Sequence, residues 1–129
     1  MNLPDHLRYS SDHEWLKPEG SRARIGITDY AQDSLGDVVF IQLPAVGDSV
    51  VAGESIGEVE STKSVSDVYA PVSGTVVERN LHLEERPELV NEQPYGEGWL
   101  VVLEVTDTAL LGELMDAVAY RAFVEQQAD

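Results

Sequence analysis

The chain has no cysteine, which excludes disulfides, thiolate nucleophiles and thiolate metal ligands. It has three histidines, His6, His13 and His82, and their spacing matches no structural zinc site. Basic residues are scarce. Eight Lys and Arg stand against 24 Asp and Glu, a formal charge of −16 at pH 7. That balance argues against nucleic acid and anionic membranes as partners. It suits simple solubility, or encounters with basic patches on other proteins that weaken as salt rises. No apolar run reaches membrane-spanning length. The opening Met1-Asn2-Leu3-Pro4-Asp5-His6 has neither an apolar signal core nor an Arg/Ser-rich amphipathic stretch, so a cytoplasmic location is expected.

Catalytic signatures are also missing. The glycines are spread through turns and form no phosphate loop. The serines carry no nucleophile-elbow motif, and His13 stands beside Glu14 and Trp15 without a nucleophile in a recognisable pattern. With 24 carboxylates in 129 residues, most must be solvated surface, and no catalytic pair can be singled out.

What remains is β-rich. At 129 residues, with 43% hydrophobic and 25% charged, the chain is sized for one domain, 1–129, with its own core. Short strands are expected at 24–27, 38–43, 49–51, 55–61, 65–69, 75–79 and 99–105, separated by Gly/Pro turns. In 38–43 the alternation puts Val39, Ile41 and Leu43 on one face and Val38, Phe40 and Gln42 on the other. Thr28 is placed to cap a short helix from Asp29 to Leu35, with Gly36 as its stop. Residues 81–98 read as turns. Beyond them the period turns helical, with Leu110, Leu111, Leu114, Met115, Val118 and Phe123 forming a stripe over about 108–127. Asp107 or Thr108 is expected to cap its start and Asp116 a second helical piece. The pattern predicts a β-sandwich or barrel with helices near its ends, and no parallel sheet.

Lysine is the rarest informative residue. There are two, Lys17 and Lys63. Lys63 stands among Ser61, Thr62 and Ser64, between two β-prone runs whose apolar anchors are Val59, Val65 and Val68. Glu60 and Asp67 nearby would keep it protonated, which disfavours a Schiff-base lysine. On residue chemistry alone, Lys63 is either an ordinary turn lysine or a single amine offered for covalent modification.

The wider stretch resembles the lipoyl-attachment region of the glycine cleavage system H-protein family. The resemblance rests on Glu60-Ser61-Thr62-Lys63 with Ala70-Pro71-Val72-Ser73-Gly74. Tyr9 to Trp15, Gly26 to Asp37, Pro87 to Asn91 and Pro94 to Trp99 carry it along nearly the whole chain. It implies a mainly β fold, a barrel-sandwich hybrid of two antiparallel sheets with a short internal helix and a C-terminal helical segment. Within it, a lipoyl hairpin at about 55–70 would carry lipoate covalently on Lys63. It further implies a non-catalytic, monomeric carrier served by lipoylating enzymes. Pyridoxal-phosphate-dependent glycine decarboxylase would load an aminomethyl group, tetrahydrofolate-dependent aminomethyltransferase would unload it, and dihydrolipoamide dehydrogenase would reoxidise the arm.

By the same resemblance Glu60 and Gly74 are positions read during lipoylation, three before and eleven after the lysine. Their plainer roles are a solvated charge and a turn glycine. Glu14 and Asp67 fall near the cleft into which the loaded arm folds, where a carboxylate can hold the aminomethyl ammonium; exposed loop carboxylates are the plainer reading. Ser34 departs from the histidine common at that position in the family. Two other readings share the Lys63 motif or the fold: a lipoyl relay donor to other lipoyl domains, and an unmodified interaction or regulatory protein. A biotin carrier is disfavoured because Thr62 and Ser64 stand where flanking methionines are typical. A dehydrogenase lipoyl domain is disfavoured by the C-terminal helical segment.

Overall fold

A computed structural model describes residues 1–127. Nine strands form two antiparallel sheets. The larger contains β1 (Arg8–Tyr9), β2 (Glu14–Glu19), β3 (Arg22–Ile27), β5 (Ser49–Val50), β8 (Gly74–Arg79) and β9 (Val101–Val105), in the order β1-β2-β3-β9-β8-β5. The smaller is β4 (Val38–Gln42), β6 (Ser55–Ser61) and β7 (Val65–Tyr69), in the order β4-β6-β7. Short helices complete the chain: α1 (Asp29–Leu35), α2 (His82–Glu85), α3 (Leu89–Glu92), a 3-10 helix (Thr108–Glu113) and α4 (Ala117–Gln127). The mainly β architecture with two antiparallel sheets is the one the sequence predicts.

The larger sheet is buried on both faces where the start of β2, the end of β3 and β9 meet, and successive residues of β2 show why. Leu16 enters the main core with Ile25, Val59, Val68, Val76 and Leu103. Trp15, pointing the other way by the strand period, enters a second cluster with Leu3, Leu7, Tyr9, Tyr120 and Val124. One face therefore packs toward the small sheet and the other toward the N-terminal strap and α4. Each such fully buried aliphatic side chain contributes about 1.5–3 kcal/mol. In β9 this two-sided burial leaves Val101, Val102 and Leu103 almost without solvent contact.

α1 forms between the expected signals. Thr28 Oγ1 accepts the Ala31 N–H at 3.2 Å, and Gly36 ends the helix at φ 81° while its N–H reaches the Gln32 carbonyl at 3.1 Å. The hairpin strands also fall where expected, at Ser55–Ser61 and Val65–Tyr69.

Five local expectations are corrected. The alternation in β4 is broken by a register shift between Val38 and Phe40, so Val38 and Ile41 are buried while Val39 and Phe40 are exposed. Val65 is 58% exposed and anchors nothing; Val59 and Val68 hold the hairpin. The turn-rich segment 81–98 holds α2 and α3. The C-terminal stripe is rotated: α4 buries Ala117, Tyr120 and Val124, whereas Val118 is 79% exposed. Met115 leaves the helical stripe altogether to bridge Tyr9 as a strand residue. Asp107 and Asp116 do cap their helices, accepting from Ala109 N–H and Ala119 N–H.

Gly74 is the fifth. It is the first residue of β8, paired with Val50 on one side and Val105 on the other, and the turn precedes it. A Cβ at this position would run into the Glu104 carbonyl oxygen. Gly74→Ala should therefore cost about 1–3 kcal/mol through forced separation of β8 and β9. A urea midpoint equal to the parent protein's would show that the strands part without cost.

Candidate functional site

The β6–β7 turn consists of Thr62, Lys63 and Ser64, and each of its backbone N–H groups is bonded. The Ser61 N–H donates to the Ser64 carbonyl at 2.8 Å. The half-turn is completed by Ser61 Oγ, which accepts the N–H groups of Lys63 (3.2 Å) and Ser64 (3.1 Å). The Thr62 N–H donates to the Asp37 carbonyl at 3.0 Å and ties the tip to the chain just beyond α1. A buried serine thus does the work of a missing backbone partner.

The Lys63 side chain is exposed and, among the described residues, forms no salt bridge. Its stem passes close over Gly36: a Cβ built there would lie 3.0 Å from Cε and 3.7 Å from Nζ. Gly36 therefore gives the stem room as well as ending α1. Lys17, the other lysine, sits on β2 opposite Arg24, in a strand and not at a tip.

β7 is the edge of the small sheet. Between it, α1 and the loop before β2 lies a cleft of about 340 Å³. Its apolar lining is Ile27, Leu35, Val59 and Val68; its polar lining includes His13, Glu14, Ser34 and Asp67. The structure thus brings Glu14 and Asp67 together, and Ser34 with them. Ser64, next to Lys63, also borders the cleft. A cleft lined by apolar side chains and carboxyl groups suits an aliphatic chain with a cationic head. A larger hollow of about 530 Å³ lies toward the far end of β6, by Asp48, Glu54 and Glu58, and contains none of the predicted site residues.

Glu60 lies outside the cleft, exposed in β6 with Phe40 and Val65 as its cross-strand partners. Gly74 is in the other sheet, buried by packing.

Glu14 is far from an exposed loop carboxylate. It is 1% exposed, accepts the Ser10 hydroxyl at 2.6 Å and receives the Tyr69 N–H at 3.4 Å. Burial pushes its pKa up to about 8, against the pull of these two hydrogen bonds. That favours the protonated form at neutral pH. Asp67 is exposed and is met by Ser55 Oγ at 3.2 Å and the Tyr69 hydroxyl at 3.5 Å.

His13 was not singled out as a site residue by sequence reasoning, nor was Tyr30. Their rings lie 4.8 Å apart at the cleft. Among the described residues His13 is the only non-glycine with positive φ, at 70°. Burial lowers its pKa. No local motif announces that backbone conformation; the pairing of His13 with Glu14 in the sequence is the one available hint.

Because the folded pKa of Glu14 lies above its unfolded value, the native state holds its proton more tightly. Stability from this group is complete below the unfolded pKa near 4.5 and is lost as pH rises through about 8. Glu14→Gln should remove that loss, so that the variant gains on the parent by a few kcal/mol between pH 5 and about 9. Parallel stability–pH curves for the two proteins would contradict the buried, protonated carboxyl.

Comparison with known proteins agrees over almost the full length. The family model for the glycine cleavage H-protein matches residues 7–127. The glycine cleavage system H protein of Anaeromyxobacter sp. (strain K) is 54% identical over 127 residues, covering 98% of this chain and 99% of the relative. That of Halalkalibacterium halodurans is 53% identical over 126 residues, covering 98% of both. The crystal structure of a glycine cleavage system H protein from Mycobacterium marinum superimposes with a TM-score of 0.85 at 43% identity, covering 98% of this chain and all of that one. With its sheets, its exposed hairpin lysine and its full-length match, this chain belongs to the glycine cleavage system H-protein family.

Proposed function

We infer that this protein is the lipoyl carrier of a glycine cleavage system, with lipoate attached as an amide to Lys63. The observation that carries this reading is full-length family membership combined with Lys63 at the tip of a pinned hairpin. The lipoyl group, once attached, supplies reversible disulfide–dithiol chemistry. Everything else asked of this chain is presentation, shelter and recognition, so the protein is a non-catalytic subunit.

Presentation follows from the hairpin. Three backbone N–H groups at the tip are bonded, so the anchor stays put while the side chain swings. Acylation removes the amine charge and takes the formal charge from −16 to about −17. Shelter follows from the cleft. Ile27, Leu35, Val59 and Val68 would line the aliphatic part of the arm, and Glu14 and Asp67 its cationic end. Glu14 would pair with that cationic end in its ionised form, which the Ser10 hydroxyl and the Tyr69 N–H favour. Removing the labile adduct from water slows its loss.

The expected partners are pyridoxal-phosphate-dependent glycine decarboxylase, tetrahydrofolate-dependent aminomethyltransferase, dihydrolipoamide dehydrogenase and lipoylating enzymes, met by a monomeric carrier in the cytoplasm. Among the described residues no helix is long and apolar enough to cross a membrane. Glu60 is proposed as a direct recognition contact for lipoylation, since it is exposed one cross-strand row from the tip. Gly74 is proposed to act at a distance, by keeping β8 closely packed.

Lys63→Arg should fold like the parent and give no support to glycine cleavage when the three partner enzymes are supplied, since a guanidinium is not acylated in this way. Retained turnover would remove Lys63 from the carrier role. Glu60→Ala should keep the parent's thermal midpoint within about 1 °C, as surface substitutions do. Its lipoylation rate should fall about tenfold, the loss of roughly one charge-assisted contact. An unchanged rate would take Glu60 out of the recognition surface.

A further inference from the structure

The C-terminal helix reaches the cleft at His13, where the Tyr120 hydroxyl makes the contact that continues to α1. Tyr120, on α4, is fully buried, and its Oη lies 2.7 Å from His13 Nδ1 and 2.8 Å from Thr28 Oγ1. His13 lines the cleft on one side. Beside it, Thr28 is the N-cap of α1, which supplies Tyr30, Ala31, Ser34 and Leu35 to the adjoining wall. The two walls are also joined by the Thr28 N–H donating to the His13 carbonyl at 3.0 Å.

The order of the protons follows from counting. Thr28 Oγ1 accepts the Ala31 N–H at 3.2 Å, which leaves its own proton to be placed. Thr28 is fully buried, and Tyr120 Oη is the acceptor in reach. Tyr120 must then send its proton to His13 Nδ1. The reverse order would strand a buried hydroxyl proton, which is the costlier arrangement. His13 is therefore neutral, with Nδ1 accepting and the ring proton on Nε2.

We propose that Tyr120 is a positioning residue for the arm cleft: its hydroxyl joins His13 on one wall to the N-cap of α1 on the other and fixes the His13 tautomer. The aromatic ring has a separate task. It stacks on Tyr9 with centroids 4.9 Å apart and planes 14° from parallel, so packing survives loss of the hydroxyl. The left-handed φ of His13 is held by its own backbone bonds, its N–H to the Ser10 carbonyl at 3.2 Å and its carbonyl from the Thr28 N–H, so the hydroxyl acts on the ring and not on the backbone. The groups around His13 are Asp12 from its own loop, Glu14 at the start of β2, Tyr30 from α1, and Tyr120, Phe123 and Gln127 from α4. Asp67 of β7 shares the cleft.

The consequence for function rests on the cleft being the seat of the loaded arm. The test uses Tyr120→Phe, with Thr28→Val and Thr28→Ser beside it. In the unmodified protein, nitrogen-detected NMR should show His13 as the Nε2–H tautomer. Tyr120→Phe should raise the His13 pKa by about half a unit to one unit, the loss of one hydrogen bond to the neutral ring. Exchange of the Ala31 amide should quicken about fivefold or more. Thr28→Val should reproduce part of both changes, and Thr28→Ser, which keeps the hydroxyl, should reproduce neither. In the lipoylated, loaded protein, Tyr120→Phe should speed ammonia release in the absence of aminomethyltransferase about fivefold. His13 titration and Ala31 exchange unchanged in Tyr120→Phe would overturn the proposal. If both respond while ammonia release does not, the positioning role stands and the cleft loses its assignment as the arm's seat.

Discussion

The hydrogen bond from the Thr62 N–H to the Asp37 carbonyl is the constraint on which the rest of this structure depends. It fastens the tip of the β6–β7 hairpin to the chain that leaves α1. A swinging arm requires an anchor that does not swing, and a two-stranded hairpin alone is marginal in water. Pairing with β4, the Ser61 side chain inside the turn and the Asp37 tie convert it into a fixed post. The same tie brings Gly36 under the Lys63 stem and sets α1 opposite β7. The proposed attachment point and the cleft therefore share one set of contacts.

The cleft combines opposed electrostatic demands. A carboxylate able to hold a cation is most effective away from water, where it is also least willing to be charged. Glu14 sits at that balance: burial pushes its pKa up to about 8, while the Ser10 hydroxyl and the Tyr69 N–H favour its ionised form. Asp67 stands at the exposed margin of the same cleft. The large negative charge elsewhere is surface, consistent with an acidic protein that meets basic partners transiently.

Much of this was legible in the residues. The bounds of α1 are written in Thr28 and Gly36, because capping is local chemistry. The hairpin strands are legible because β-prone runs flank a polar tip. Lys63 stands out because lysine is rare here. What was hidden is what depends on distant partners. The β4 bulge inverts the faces of Val39 and Phe40, and no residue in 38–43 marks it. The buried face of α4 is chosen by Tyr120 stacking on Tyr9, 111 residues away in sequence, and not by the Leu/Val/Met periodicity. The burial of Glu14 depends on Tyr69, 55 residues downstream. Gly74 reads as a turn glycine until β9 is placed against it.

The central claim is that Lys63 carries the chemistry. The most direct measurement is the intact mass of the protein isolated from its native host, followed by peptide mapping of any added group. The account predicts one lipoyl group on Lys63 and none on Lys17. An unmodified Lys63, in cells whose other lipoyl domains are modified, would contradict it.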